Sequence, residues 1–333
     1  PVESRDQLGA DSRRIIELLC MQWTKTRLRP LAGGFSGSLL FLADGWKGPA
    51  RTQPVVLKID AFGQMRRELN GYHQVKDFLG KHVPTFGYPV RVGEQLGVAM
   101  ELAAMEGRPE TLQDLFERAD DEATLQTFLN RLDKSLRLLA QMLYGNTLEV
   151  QSVVPYRAFG LHVERQIDWL RENGELTIEY AAEARSEVPS VDLDQVANLV
   201  RLAVRNEDPV ESETCIGHGD LNFANVICDE IDNVWFIDWT HSGAQPLELD
   251  YAKLENDVKF VMSKEFEFDD ADRLRRFEEY LVQARVPSPP DELPDSLRFA
   301  RWDFRYRRIL EAVRRIRQSC FSLKQADDWL VYK

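Results

Sequence analysis

Four polar residues lie close together in residues 214–239, and their types and spacing suit phosphate chemistry. His218, Asp220 and Asn225 form the pattern H-x-D-x4-N, and Asp238 ends the apolar run VWFID. An ionised aspartate among apolar neighbours is costly unless something pairs with it. An amide oxygen and a carboxylate make a hard-oxygen site that suits Mg²⁺. We therefore expect Asn225 and Asp238 to be metal ligands.

Asp220 is the candidate general base. It lies five residues before Asn225 on the same loop, where it could accept a proton from an attacking hydroxyl while metal ions hold phosphates. Asp and Asn also favour turns, so loop capping is the alternative. The joint spacing with Asp238 favours the catalytic interpretation.

Two apolar stretches must position these residues. Residues 226–228 and 234–237 are rich in β-formers, and the residues between them are mostly turn formers. The pattern predicts a loop followed by a β-hairpin.

A second candidate site lies near the N-terminus. Glycines between two predicted strands would let backbone N–H groups approach phosphate oxygens with no Cβ in the way. The residues of this loop are Gly33, Gly34, Phe35, Ser36 and Gly37. A simple hairpin turn is the alternative, and the two interpretations are compatible.

Lys58 and Glu68 are the predicted partners of that loop. Lys58 lies in the β-rich run VVLKI, and Glu68 shares one face of a predicted helix over 62–79 with Met65 and Tyr72. A Lys–Glu ion pair would hold the ammonium for the α- and β-phosphates of a nucleotide.

The remaining pattern predicts an α+β fold with a boundary near residue 102. A helix capped by Asp11 or Ser12 comes first, and residues 44–53 are predicted to be a turn. The predicted strands are 28–32, 38–43, 54–59 and two more that end near 97–102. The predicted helices that follow are 110–118, 122–144, 157–172, 192–205, 246–264, 270–284 and 294–320.

Composition excludes several classes of protein. The chain has 333 residues and a formal net charge of −13, which argues against a nucleic-acid binder because phosphate neutralisation needs a basic field. No apolar run is long enough to span a bilayer, and the N-terminus has no signal-peptide core. Four widely separated cysteines without zinc-ligand spacing indicate reduced thiols in a cytoplasmic protein.

Taken together, the motifs resemble those of the aminoglycoside phosphotransferase and choline kinase-like family, distant relatives of the eukaryotic protein kinases. Besides Glu68, the matching segments occur in family order over about residues 31–255: LAGGFSGSLLF, VVLKID, IGHGDLNFANV, FIDW and LDYAKLE. The H-G-D-x4-N motif with the later I-D-aromatic motif is specific, whereas the glycine loop alone is weak.

The resemblance implies a bilobal protein kinase-like fold, with a small β-rich N-terminal lobe (1–101) and a large helical C-terminal lobe (102–333). ATP would lie in the cleft, its adenine bound by the backbone of a hinge that includes Glu101 and Ala103. His218 would hold the catalytic loop, and Asp250 would support it. Such kinases transfer the γ-phosphoryl group of ATP, with Mg²⁺, to a hydroxyl of a small molecule.

Asp238 is followed by Trp239-Thr240, where protein kinases have Phe-Gly, and only a short segment precedes Asp250. Both features favour the small-molecule branch. Two alternatives stay open: a nucleotide-binding regulatory or scaffold module of a larger assembly, and a kinase that acts on a protein side chain. Residues 298–317 carry eight arginines on a predicted amphipathic helix, which is either a solvated face or a docking surface for an acidic protein partner.

Overall fold

A computed structural model gives the fold of most of the chain. It describes residues 8–31, 38–101, 109–153, 209–261 and 271–323, together with Asn198. The order of elements is β-rich up to residue 101 and mostly helical from residue 112, which confirms the predicted fold class.

The N-terminal part is an antiparallel sheet with the path β1-β2-β4-β7-β5, to which β3 adds beside β2 and β6 beside β7. Its strands are β1 (Lys25–Pro30), β2 (Leu39–Lys47), β3 (Ala50–Arg51), β4 (Val55–Ala61), β5 (Thr85–Phe86), β6 (Val90–Val92) and β7 (Gln95–Glu101). The β-rich run that contains Lys58 is therefore the central strand of this path.

Two helices cover different apolar clusters of this sheet. Helix α1 (Ala10–Cys20) packs Ile15 and its neighbours against Leu57 and Ile59 of β4. Helix α2 (Phe62–Leu79) has the predicted bounds and packs Met65 against Val98 and its neighbours in β7.

Two local predictions in this region were wrong. Residues 44–53 are not a single turn, because β2 continues to Lys47 and the chain reverses tightly at Gly48, whose φ is +63°. Gly45 was interpreted as a turn residue, but it lies within β2. A glycine is needed there because a Cβ would overlap the indole of Trp23. Neither Asp11 nor Ser12 caps α1, which begins at Ala10, and the Ser12 hydroxyl instead donates to Gln95 at 2.7 Å.

The C-terminal part is mostly helical. Its helices are α3 (Leu112–Glu117), α4 (Glu122–Leu138), α5 (Gly145–Thr147), α6 (Glu248–Asn256), α7 (Ala271–Gln283), α8 (Phe299–Trp302) and α9 (Phe304–Leu323). A π-helical segment, Leu139–Tyr144, joins α4 to α5, and a second one, Asp257–Val261, extends α6. The predicted helix 294–320 is interrupted at Asp303, whose backbone is extended and whose carboxylate accepts from the N–H of Arg305. The predicted helices 157–172 and 192–205 lie outside the described residues, apart from Asn198.

Strands also occur in the C-terminal part. The predicted hairpin is present as β11 (Val226–Cys228) and β12 (Val234–Phe236), and β8 (Glu110–Thr111) adds to its edge. The strands β9 (Glu149–Val153) and β10 (Val210–Gly217) were not predicted, and neither was β13 (Gly243–Pro246). Residues 210–214 of β10 pair with β9 in antiparallel register.

The chain divides into two compact units, one made of residues 1–148 and 215–333 and the other of residues 149–214. The boundary near residue 102 stays a prediction. All the candidate site residues that the structure describes belong to the first unit. None of the helices in the described part of the chain is long and apolar enough to cross a membrane.

Candidate active site

Lys58 lies in the middle of β4, opposite Leu40 of β2 and Val98 of β7. Alternate residues of a strand face opposite sides. Leu57 and Ile59 pack with α1, so Lys58 faces the side of the sheet that α2 covers. There the Lys58 ammonium forms an ion pair with Glu68, with 2.7 Å between Nζ and Oε2.

Asp238 completes this cluster from far along the chain. Its Oδ1 lies 3.7 Å from Lys58 Nζ, and both Lys58 and Glu68 are almost fully buried. Burial lowers the pKa of Lys58, but Glu68 and Asp238 raise it by more, so the pKa lies above its usual value and the ammonium is charged. Burial raises the pKa of Asp238, whereas Lys58 and the Thr240 hydroxyl lower it by more, and the net direction is downward.

Asp250 fixes the backbone of the loop before Asp220. Its two carboxylate oxygens accept from the N–H groups of His218, at 2.6 Å, and Gly219, at 2.8 Å. The Tyr144 hydroxyl donates to the same carboxylate at 2.8 Å. Gly219 has a φ of +78°, and a Cβ there would overlap the carbonyl oxygen of His241, so only glycine fits this turn.

His218 joins the loop to the end of the hairpin. Its Nε2 lies 2.8 Å from the carbonyl oxygen of Ile237, and the backbone N–H of Asp220 donates to its Nδ1 at 3.4 Å. These partners assign the ring proton to Nε2. The imidazole is fully buried and therefore has the structural position expected for it. His241 is exposed, as predicted.

Asn225 and Asp238 offer oxygens that fit a magnesium ion. The Asn225 amide nitrogen donates to the carbonyl oxygen of Asp220 at 2.9 Å, which leaves the amide oxygen for another partner. Asp238 has a φ of +62°, which is rare for a residue with a side chain. Among the described residues, no three His, Cys, Asp or Glu side chains form a metal cluster. Mg²⁺ commonly takes only one or two protein carboxylates and completes its shell with water and phosphate, so this donor set fits it.

Two contacts to the loop were missed by the sequence reasoning. The Lys253 ammonium lies 2.7 Å from Oδ1 of Asp220, and the Asp257 carboxylate accepts from the N–H of Phe223 at 3.0 Å. Asp250, Lys253 and Asp257 are spaced i, i+3 and i+7, which was the signal available in the sequence.

The remaining predicted nucleotide contacts are only partly described. Residues 33–37 and Ala103 lie outside the described residues. Glu101 is the last residue of β7, is exposed, and is paired with Thr85 of β5. Its place in a hinge therefore stays a prediction.

The arginine-rich segment has internal partners. Acidic side chains of the chain itself pair with Arg298, Arg301, Arg305, Arg307, Arg314, Arg315 and Arg317. Arg308 is buried and donates to the carbonyl oxygens of Phe116 and Glu117. Most of the charge that suggested a docking surface is thus neutralised within the chain, and the protein partner is left without support.

The site combines a lysine in a central strand with a glutamate on the next helix. The H-x-D-x4-N loop and the hairpin after it bring Asp238 to the same lysine. This is the arrangement that the resemblance to the kinase-like family implies. A family model described as "Ternary complex associated domain 9" matches residues 203–331, under half of the chain. A comparison with curated proteins finds no match.

Several solved structures are similar to the chain. One is an aminoglycoside-3'-phosphotransferase of type VIII (15% identity, TM-score 0.49, 92% of this chain and 100% of that chain covered). Another is a thermostable mutant aminoglycoside phosphotransferase with ADP and hygromycin B (15%, 0.46, 91% and 97%). A third is a choline kinase from Streptococcus pneumoniae (14%, 0.44, 93% and 99%).

Proposed function

We propose that this protein is an ATP- and Mg²⁺-dependent phosphotransferase that moves the γ-phosphoryl group of ATP to a hydroxyl of a small molecule. The observation that carries the proposal is the buried Lys58 ammonium between Glu68 and Asp238. Glu68 lies on α2 and Asp238 follows the β11–β12 hairpin, so the two carboxylates are far apart in sequence. A charged lysine fixed in this way suits the α- and β-phosphates of ATP.

Asp220 is the proposed base. Its Oδ2 would accept the proton of the acceptor hydroxyl as the acceptor oxygen bonds to the γ-phosphorus and the bond to the β-phosphate oxygen breaks, leaving ADP. Because the transition state is loose, most of the catalysis would come from position and electrostatics.

Asn225 and Asp238 are the proposed magnesium ligands. The ion would neutralise negative charge on the β- and γ-phosphates. The backbone N–H groups of residues 33–37 would bind phosphate oxygens, and the backbone at Glu101 and Ala103 would bind adenine. A cytoplasmic location, as the widely spaced cysteines suggest, belongs to the same proposal.

The test is ADP release from Mg²⁺-ATP against a panel of amino alcohols, sugars, aminoglycosides and nucleosides. We expect one class to stimulate release, and Asp220→Asn to reduce it by roughly 10²–10⁴-fold. Binding of a fluorescent ATP analogue should change little in that variant. Asp232→Asn is the matched control. It changes an exposed aspartate between β11 and β12 that pairs with Arg131. Full activity of Asp220→Asn would show that the base is assigned wrongly.

A second candidate is a nucleotide-binding module of a larger assembly. The description of the family model that matches residues 203–331, a ternary complex associated domain, favours it. Magnesium-dependent ATP binding without ATP consumption across the whole panel would support this function. Transfer of radiolabel from ATP to a protein would instead support a kinase that acts on a protein side chain.

A further inference from the structure

One side of α6 and its π-helical extension follows the loop that carries Asp220. Residues spaced i, i+3 and i+7 lie on one side of a helix. The contacts run in the same order along both segments: Asp250 with the N–H groups of His218 and Gly219, Lys253 with the carboxylate of Asp220, and Asp257 with the N–H of Phe223. This helix side therefore holds the loop at successive points on both sides of Asp220 and at Asp220 itself.

Lys253 differs from the other two because it contacts the Asp220 side chain rather than the backbone. Its Nζ lies 2.7 Å from Oδ1. Among the described residues Oδ2 of Asp220 has no hydrogen-bond partner, and the side chain is 40% exposed. A carboxylate with one oxygen held by an ammonium presents the other oxygen in one direction.

We propose that Lys253 is a positioning residue for phosphotransfer: its ammonium holds Oδ1 of Asp220, so that Oδ2 is the oxygen that meets the acceptor hydroxyl. This inference rests on the proposed function. Half-exposed ion pairs add little to stability, so the loss of Lys253 should reduce turnover and leave the fold intact.

Lys253→Met keeps the length and the apolar stem of the side chain and removes its charge. Because small misplacements of a reacting group can cost up to about a hundredfold in rate, we expect kcat to fall roughly ten- to hundredfold. The KM for ATP and the melting temperature should stay near the wild-type values, because Lys253 does not contact Lys58 or Glu68. Lys253→Arg restores a cation at the same place and should recover most of the lost kcat.

Lys134→Met is the matched control. Lys134 is also a partly buried lysine, and its ammonium donates to the carbonyl oxygen of Asp232, away from the catalytic loop. Its substitution should leave kcat unchanged. Wild-type kcat in Lys253→Met, or equal losses in Lys253→Met and Lys134→Met, would overturn the inference.

A second measurement needs no turnover. Acetylation of lysines by acetic anhydride, followed by mass spectrometry of peptides, gives the reactivity of Lys253 relative to Lys134. Asp220→Asn should raise this ratio several-fold, because a neutral amide holds an ammonium less firmly than a carboxylate. An unchanged ratio overturns the inference whatever the activity. If the ratio rises but the wild type consumes no ATP, the proposed function fails, and the role of Lys253 in phosphotransfer fails with it. The Lys253–Asp220 ion pair is then still supported.

Discussion

Gly71 of α2 lies directly against the carbonyl oxygen of Trp239, the residue that follows Asp238. A Cβ on Gly71 would overlap that oxygen and would lie 3.0 Å from the Cβ of Ser242. Glu68 is one turn earlier on the same helix. The missing side chain thus lets the helix that carries Glu68 pack closely against the segment that carries Asp238, and both carboxylates reach Lys58.

Gly71→Ala should therefore disturb both stability and the site. We expect a loss of about 1–3 kcal/mol in the free energy of unfolding, because the neighbouring backbone must move. Nucleotide affinity should fall as well. Urea denaturation and titration with a fluorescent ATP analogue measure the two effects. Gly63→Ala in the same helix is the control, because a Cβ there meets nothing within 4 Å, and it should be neutral or stabilise by up to about 1 kcal/mol. Equal stability of the two variants would contradict the packing argument.

The Lys58–Glu68 pair allows a structural role to be separated from a nucleotide-binding role. Removing one partner of a buried ion pair costs about 3–5 kcal/mol, whereas replacing both with apolar residues is often neutral. We expect Lys58→Met to destabilise the protein strongly and Lys58→Met/Glu68→Met to recover part of the stability, because Asp238 still lacks the ammonium of Lys58. Neither variant should bind ATP with wild-type affinity.

Urea denaturation and equilibrium ATP binding on the same preparations check this. If the double variant recovered ATP affinity together with stability, Lys58 would be a structural residue only.

The sequence predicted the parts of the site that depend on local pattern. Strand alternation placed Lys58 on one face of β4, and helical spacing placed Glu68 beside Met65, so their meeting follows from two periodicities. The turn formers between β11 and β12 predicted the hairpin in the same way. The approach of Gly71 to Trp239 could not be predicted, because it depends on how a helix and a distant loop pack.

The strands β9 and β10 escaped prediction for a different reason. The residues of β9 are almost all exposed, so no buried apolar face marks this short segment as a strand. Its partner, β10, lies close before the H-x-D-x4-N loop, far along the chain. Pairing between such strands is decided by tertiary context more than by intrinsic propensity.

Asp238 should make the free energy of unfolding depend on pH in the acidic range. Burial raises its pKa, but Lys58 and Thr240 lower it by more, so the folded pKa lies below the unfolded one. Its contribution is therefore present above the unfolded pKa and is lost as the pH falls through the folded pKa. We expect the difference in unfolding free energy between wild type and Asp238→Asn to shrink as the pH falls below the ordinary aspartate pKa and through the lower folded pKa.

The same pair of measurements in a Lys58→Met background is the control. Without the ammonium the downward shift should disappear, and the difference should depend less on pH. A pH dependence that is identical in both backgrounds would mean that Lys58 is not its cause.

The four free cysteines should report on unfolding. Cys215, Cys228 and Cys320 are buried, and Cys20 is partly exposed. Burial raises the pKa of Cys228 to about 12 and also raises the pKa of Cys215. Burial raises the pKa of Cys20 as well, although a hydrogen bond with Thr26 lowers it in part. Because the thiolate is the reactive form, we expect a disulfide reagent at neutral pH to modify Cys20 slowly in the folded protein and all four thiols in urea. Cys20→Ser should abolish the reaction of the folded protein and leave three thiols reactive in urea. Fast reaction of a second thiol without denaturant would contradict the burial of the cysteines in β11 and α9.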